Sequence, residues 1–124
     1  MAQIQRTKPF EDVLEIDDGD KSISISYRIT ITPAFAKEAR ALQVRIIELQ
    51  RSGNEASAEE LGQAIVRLFT LIFGAENTEK IIAFYSDDFA NMLMDIFPYL
   101  HDTVFAELNR RTHERIKALK KRYR

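Results

Sequence analysis

Residues Gly74–Leu100 read GAENTEKIIAFYSDDFANMLMDIFPYL, and this stretch predicts two consecutive helices around which the rest of the chain is arranged. Asn77 and Ser86 are each predicted to cap a helix, because a side-chain oxygen just before a helix accepts a free backbone N–H of the first turn. Acidic residues follow both caps, where the positive end of a helix favours negative charge.

The second of these helices is unusually apolar. Its apolar side chains recur at spacings of three and four residues, the pattern of a helix that faces a core: Phe89, Met92, Leu93, Ile96, Phe97 and Leu100. Ala90, Met94 and Tyr99 widen this stripe. Mainly Asn91 and Asp95 are left to face water. The apolar side chains of such a helix must be buried on more than one side. A second molecule is therefore a candidate to bury some of them.

Length and composition indicate one soluble domain. The 124 residues suffice for one hydrophobic core but not for two. The sequence contains no cysteine, which excludes disulfides and thiolate chemistry and fits a reducing cytosol. No apolar run reaches the roughly 18 residues of a membrane span, and the N-terminus lacks the apolar core of a signal peptide. We therefore expect a cytoplasmic protein without a membrane partner.

The charge is unevenly distributed along the chain. Residues Arg110–Arg124 contain eight Lys or Arg and one acid, whereas the first 109 residues contain ten basic and eighteen acidic side chains. A basic end of this kind could contact a nucleic acid, an anionic surface or the acidic body of another copy. The alternative is a solvated helix end, where the helix dipole favours cations.

In residues 13–31 apolar and polar side chains alternate, which predicts a β-hairpin with one buried face and one solvent-exposed face. The predicted buried residues after the turn are Ile23, Ile25, Tyr27, Ile29 and Ile31. We expect Asp18 and Gly19 to supply the two positive φ angles of the turn. A calcium loop is rejected, because the acidic spacing does not fit and no glutamate follows at the required position. Residues 1–12 show no periodicity and are expected to form a loose arm.

Helix signals follow the hairpin. Thr32 is predicted to cap a helix that begins with Pro33 and ends at Gly53, since proline favours the first position of a helix and glycine the left-handed position after its end. Ser57 and Glu60 form a capping-box pattern that predicts the start of the next helix.

Pro98 interrupts the apolar helix and predicts a kink or a fresh helix start. Beyond it, a narrower apolar stripe with Thr112 in its middle suits a helix that lies on a surface or pairs with a partner helix: Phe105, Leu108, Ile116, Leu119 and Tyr123. The predicted fold is α+β and mostly helical, with an N-terminal β-hairpin followed by four or five helices. We expect a single domain over residues 1–124, with a helical body at 33–109 and a basic helix end at 110–124.

Residue types that carry catalysis or bind metals are sparse. His101 does not share a helix face with Asp95 or Asp102 as metal ligands would, and the arginines around His113 repel a cation. The adjacent acids Asp87 and Asp88 point apart and are explained by the helix start. The four glycines form no phosphate-binding loop. We therefore predict a protein that is not an enzyme and that binds no metal and no cofactor.

The remaining candidate for function is an apolar protein-binding surface. Met92 and Met94, flanked by aromatic residues, are the adaptable side chains that binding surfaces favour, although methionine also fills gaps in cores. The predicted protein-binding residues are Phe69, Ile72, Phe89, Met92, Leu93, Ile96, Phe97 and Leu100.

An acidic-glycine hairpin, a Thr-Pro helix entry and the segment GAENTEKII before an apolar helix resemble the tail assembly chaperones of long-tailed bacteriophages and prophages. The most specific part is Gly74–Ile82, a glycine turn before a T-E-K-I type helix start. The resemblance covers roughly Leu14–Asn109 and leaves out the basic end.

The resemblance implies a non-enzymatic protein that coats the long, apolar, helical tape measure protein, keeps it soluble and helps recruit tail tube subunits. It also implies self-association, a location in the bacterial cytoplasm and absence from the finished virion. Two alternatives stay open from the residues: a nucleic-acid-binding module that uses the basic helix, and a structural tail or connector subunit.

Overall fold

A computed structural model describes residues 2, 3 and 8–122 of the chain. The chain divides into two compact units, Met1–Asp87 and Asp88–Arg124. The fold is α+β and mostly helical, as predicted: an antiparallel two-stranded hairpin is followed by three separate helices and a continuous fourth one, which a π-helical turn divides into two segments.

The hairpin consists of strand β1 (Phe10–Asp17) and strand β2 (Ser22–Ile29). β1 begins three residues before the predicted hairpin, so Phe10 to Asp12 belong to the sheet and not to a loose arm. Residues Met1 and 4–7 of that predicted arm lie outside the described residues. Leu14 lies opposite Ile25 in the register. The predicted buried row of β2 is confirmed at Ile25, Tyr27 and Ile29, while its serines face outward and are exposed.

The hairpin turn differs from the prediction in one backbone angle. Gly19 has a φ of 94°, but Asp18 is not among the residues with positive φ. The side chain of Asp18 accepts hydrogen bonds from the backbone N–H of Asp20 and of Lys21, at 2.9 Å each. Gly19 therefore supplies the one positive φ of the turn, and the Asp18 side chain takes the place of a backbone acceptor for Lys21.

The first helix, α1 (Pro33–Ser52), begins and ends as predicted. The Thr32 hydroxyl accepts a hydrogen bond from the Phe35 backbone N–H at 3.0 Å. Gly53 ends the helix in the left-handed conformation, with a φ of 62°. The apolar side chains at spacings of four and three residues are buried: Phe35, Ala39, Leu42, Ile46 and Leu49.

The second helix, α2 (Glu55–Phe73), begins earlier than predicted. Its cap is Asn54, whose side-chain oxygen accepts a hydrogen bond from the Ser57 backbone N–H at 2.8 Å. The prediction of Ser57 as the cap was therefore wrong. Its hydroxyl donates to Asn54 instead, and Glu60 forms an ion pair with Arg45 of α1. Asn54 is the cap because α1 ends at Gly53 in the left-handed conformation, so α2 can begin directly after Asn54.

The third helix, α3 (Ala75–Phe84), also begins before its predicted cap. Gly74 is the residue at its start, and Asn77 lies inside the first turn. The side chain of Asn77 donates hydrogen bonds to the backbone carbonyls of Phe73 at 3.0 Å and Ser26 at 2.9 Å. The prediction of Asn77 as a cap was wrong, because this amide joins α3 to the end of α2 and to β2.

The core of the first unit lies between the hairpin and the helices. β2 packs on α2 and α3, and α1 packs on α2. The ring of Tyr27 meets the ring of Phe73 edge to face, with 4.9 Å between the centroids. Phe73 in turn meets Phe69 edge to face at 5.6 Å. This aromatic chain joins the buried face of β2 to α2.

α3 ends in a Schellman motif. The Asp87 backbone N–H donates to the Ile82 carbonyl, and the Ser86 backbone N–H donates to the Ala83 carbonyl, each at 3.1 Å. Ser86 and Asp87 have φ angles of 51° and 63°, a region that glycine usually occupies. The prediction of Ser86 as a helix cap was therefore wrong, since it lies where α3 ends.

The second unit consists of α4 (Phe89–Leu100), a π-helical turn (His101–Phe105) and α5 (Ala106–Arg122), which follow one another without a break. Asp88 caps α4 by accepting a hydrogen bond from the Asn91 backbone N–H at 3.1 Å. Pro98 lies inside α4, so of the two predicted alternatives, a kink or a fresh helix start, the fresh start at Pro98 does not occur. Instead a π turn follows, in which the Thr103 hydroxyl donates to the Tyr99 carbonyl.

Candidate protein-binding surface

The structure divides the eight predicted protein-binding residues between the two units and buries most of them. Phe69 and Ile72 are buried residues of α2 in the first unit. The other six lie on α4. Only Phe89 and Phe97 are partly exposed, and the remaining four are buried: Met92, Leu93, Ile96 and Leu100. Of the eight predicted residues, a partner could therefore contact Phe89 and Phe97 directly, whereas contact with the buried ones would require the chain to rearrange.

The two methionines of α4 have opposite environments. Met92 is fully buried, whereas Met94 is 70% exposed. Residues two apart on a helix point about 200° away from each other, so both methionines cannot face one side. Sequence reasoning treated them as one surface. The spacing of two residues could have shown from the sequence that one methionine faces the core and the other faces solvent.

Met94 lies in the middle of an apolar ridge. Ala90, Met94 and Phe97 are spaced four and three residues apart, which places them on one side of α4. Ala90 is exposed and Phe97 is half-buried. We call these three residues the Met94 ridge. Because methionine is flexible and polarizable, such a ridge can adapt to differently shaped apolar partners.

A second exposed apolar surface lies on α5. Ile116 and Leu119 are 48% and 49% exposed, while Leu108, on the same predicted stripe, is only 1% exposed. We call the exposed pair the Ile116 stripe. The helix positions of Arg115 and Lys120 flank it. Tyr123, the last residue predicted for this stripe, lies outside the described residues.

The basic character of α5 is concentrated towards its end. Glu107 forms ion pairs with Arg110 and Arg111, and Glu114 forms another with Arg110. The hydrogen bond from Arg110, reinforced by Arg111, lowers the pKa of Glu107 to about 2. These acids offset the first two arginines. Within the described part of the chain, no ion pair involves the cations that follow: Arg115, Lys117, Lys120 and Lys121.

The described residues contain no group of three histidine, cysteine, aspartate or glutamate side chains that could hold a metal ion. His101 Nδ1 lies 3.1 Å from Asp102 Oδ1, and both side chains are exposed. Every buried side-chain nitrogen or oxygen among residues 2, 3 and 8–121 has a hydrogen-bond partner.

No protein-family model, no curated protein and no solved structure matches this chain. Within the described ranges, no helix combines the length and the apolar character needed to cross a bilayer.

Proposed function

We propose that this chain is a tail assembly chaperone of a long-tailed bacteriophage or prophage, which binds the tape measure protein, keeps it soluble and helps recruit tail tube subunits. It acts in the bacterial cytoplasm, self-associates and is absent from the mature virion. The resemblance of Gly74–Ile82 to that family supports the choice of client. The observation that carries the proposal is the Met94 ridge, an exposed apolar surface on a helix.

The ridge suits a long apolar helix as its client. An amphipathic helix binds by laying apolar side chains, three and four residues apart, against an apolar surface of a partner. Covering Met94 and the exposed part of Phe97 contributes up to about 1.5–3 kcal/mol each. This gain is partly offset by the entropy lost on association, so binding of one copy is weak. Several copies along one client would bind more tightly, because the repeated contacts add avidity.

The Ile116 stripe supports a protein partner over a nucleic acid. Ile116 and Leu119 are half exposed in the midst of the cations of α5. Contacts to phosphates need the cations but gain nothing from exposed aliphatic side chains. A helix of a partner protein would cover the aliphatic side chains and meet the cations with acidic residues at its rim.

The test begins at the gene neighbourhood, where the proposal expects a very long tape measure gene just downstream, and continues with co-expression of that protein and capture of the complex. We expect Met94→Asp to abolish capture, because the new carboxylate would be buried against the client. Val44→Asp is the matched control, since Val44 is 54% exposed on α1. It should leave capture unchanged. Circular dichroism should show the same helix content for both variants.

Three results would overturn the proposal. The first is unchanged capture by a folded Met94→Asp variant. The second is binding to DNA or RNA that weakens steeply with added salt while no tape measure protein is captured, which would assign a nucleic-acid-binding module. The third is recovery of the chain from purified virions, which would assign a structural subunit of the tail or connector.

A further inference from the structure

Strand β1 has a free edge. Among the described residues it pairs with β2 alone, and it is β2 that packs on the helices. The Asp18 backbone N–H donates to the Lys21 carbonyl at 3.1 Å, which sets the phase of the antiparallel ladder. Because bonded and non-bonded pairs alternate in such a ladder, the backbone groups of Glu11, Val13 and Glu15 point away from β2. These groups are available to another strand.

The buried face of the hairpin is incomplete at this edge. Ile25 on β2 is fully buried, but Leu14, which lies opposite it on β1, is only half-buried. Ile16 is half-buried in the same way. On the outer face, Val13 is 52% exposed. A third strand beside β1 would therefore gain apolar contacts as well as backbone hydrogen bonds.

The acidic side chains of β1 determine which charge a third strand beside it should carry. β1 contains four acidic residues and no basic one: Glu11, Asp12, Glu15 and Asp17. Glu11 is paired across the hairpin with Arg28 at 3.3 Å, but Glu15 lies opposite Ser24 and is in no ion pair within the described residues. The β1 strand of a second copy would place acid beside acid, and like charges on neighbouring strands repel. A basic strand would be attracted.

We propose that the free edge of β1 binds an extended segment of a partner protein in which Lys or Arg alternates with apolar residues, so that the hairpin becomes a three-stranded sheet. The apolar residues of this segment cover Leu14 and Ile16, and its cations lie beside Glu15 on the outer face. Main-chain hydrogen bonds supply much of the affinity in this mode of recognition, and the alternate side chains supply the specificity. The proposal does not depend on the helix-binding function proposed for the Met94 ridge.

The test uses the full chain and a short capped peptide in which valine alternates with lysine. Hydrogen exchange of individual backbone amides is measured by NMR. We expect exchange at Val13 and Glu15 to slow about tenfold when free peptide is about nine times its Kd. The same peptide with every backbone nitrogen methylated keeps its charge but has no N–H to donate from either edge. It should give no protection.

Two substitutions separate charge from pairing. Glu15→Lys should weaken binding of the lysine peptide about tenfold and strengthen binding of a peptide with glutamate in place of lysine. Glu59→Lys changes the net charge equally on an exposed part of α2 and should leave binding unchanged. Val13→Pro removes an outward N–H, which edge strands tolerate, and should abolish the protection of the Glu15 amide.

Several outcomes would overturn the proposal. If the methylated peptide binds as tightly as the unmethylated one, the peptide is attracted by charge alone and does not pair with β1. Equal weakening by Glu59→Lys would show an effect of net charge. Protection of Val13 in the chain by itself, accompanied by a dimer in sedimentation, would show that a second copy occupies the edge. If Val13→Pro does not fold, the methylated peptide and the two charge variants still decide the question.

Discussion

The side-chain amide of Asn77 on α3 donates a hydrogen bond to the backbone carbonyl of Ser26 on β2, 51 residues earlier in the chain, at 2.9 Å. The same amide donates to the carbonyl of Phe73 at the end of α2 at 3.0 Å. One side chain thereby joins the hairpin, α2 and α3, next to the ring contact between Tyr27 and Phe73. This junction fixes where the hairpin lies on the helices of the first unit.

We expect Asn77→Ala to lower the free energy of unfolding by about 1–2 kcal/mol, because two carbonyls lose their donor. Urea denaturation followed by circular dichroism measures the change. Glu76→Ala is the control, since Glu76 is 89% exposed and its ion pair is a weak one with Lys80 at 4.0 Å. It should change stability by less than about 0.5 kcal/mol. Equal effects of the two substitutions would mean that the Asn77 bonds contribute nothing of their own.

Ser86→Gly should stabilise the chain. Ser86 holds a φ of 51°, and a left-handed conformation costs a residue with a side chain about 1–2 kcal/mol. Glycine removes this strain but adds about 0.5–1 kcal/mol of backbone entropy to the unfolded state. The expected net gain is about 0.5–1 kcal/mol, read as a higher urea midpoint. Ser24→Gly, on the outer face of β2, should have the opposite sign. A lower midpoint for Ser86→Gly would contradict the strain argument.

The ion pairs of Glu107 predict a dependence of stability on pH. The arginines lower its pKa from 4.5 to about 2 in the folded chain. A lowered folded pKa stabilises the fold above the unfolded pKa, and that contribution is lost as pH falls towards the folded value. The stability difference between wild type and Glu107→Gln should therefore be roughly 0.5–1 kcal/mol at pH 6, because the partner Arg110 is half exposed and screened.

This difference should shrink between about pH 5 and pH 2, the interval set by the two pKa values of Glu107. Urea denaturation of both proteins across that range measures it. Glu114→Gln is the control, since Glu114 is 63% exposed and, among the residues that the structure describes, pairs with one arginine, Arg110. Its effect should be smaller than that of Glu107→Gln at pH 6. A constant difference between wild type and Glu107→Gln at all pH values would contradict the prediction.

Two leucines on the apolar stripe of α5 should respond differently to one substitution. Leu108 is 1% exposed, and Leu108→Ala should cost about 2–4 kcal/mol because it leaves a cavity. Leu119 is 49% exposed, and Leu119→Ala should change stability by less than about 0.5 kcal/mol. Thermal unfolding of both variants measures the contrast. A large loss at Leu119 would show that the Ile116 stripe belongs to the core and is not a binding surface.

Local sequence signals predicted those features that depend on a few neighbouring residues. The hairpin follows from alternation along β2, and α1 follows from the Thr32 cap, Pro33 and Gly53. These signals act within about one turn of a helix or across one strand, so no distant residue needs to be known. The α+β class and the buried face of β2 were predictable for that reason.

Sequence reasoning failed where two local solutions competed. Asn54 and Ser57 are both good cap residues, and the left-handed turn at Gly53 decided in favour of Asn54. Serine is a residue type that often caps the start of a helix, but Ser86 lies in the Schellman motif that ends α3. The hydrogen bonds of that motif go to carbonyls of earlier residues, Ile82 and Ala83. The candidate site shifted from Met92 to Met94 because burial depends on the helical angle at each position.

The sequence by itself determined the hairpin, the order of the helices and the apolar stripes, because periodicity and capping are properties of neighbouring residues. The tertiary structure alone decided the role of Asn77, since its partner Ser26 is remote in sequence. It also decided that the α5 stripe is buried at Leu108 and exposed at Leu119. Both are leucines of one periodic pattern, and only the atoms that pack around each of them differ.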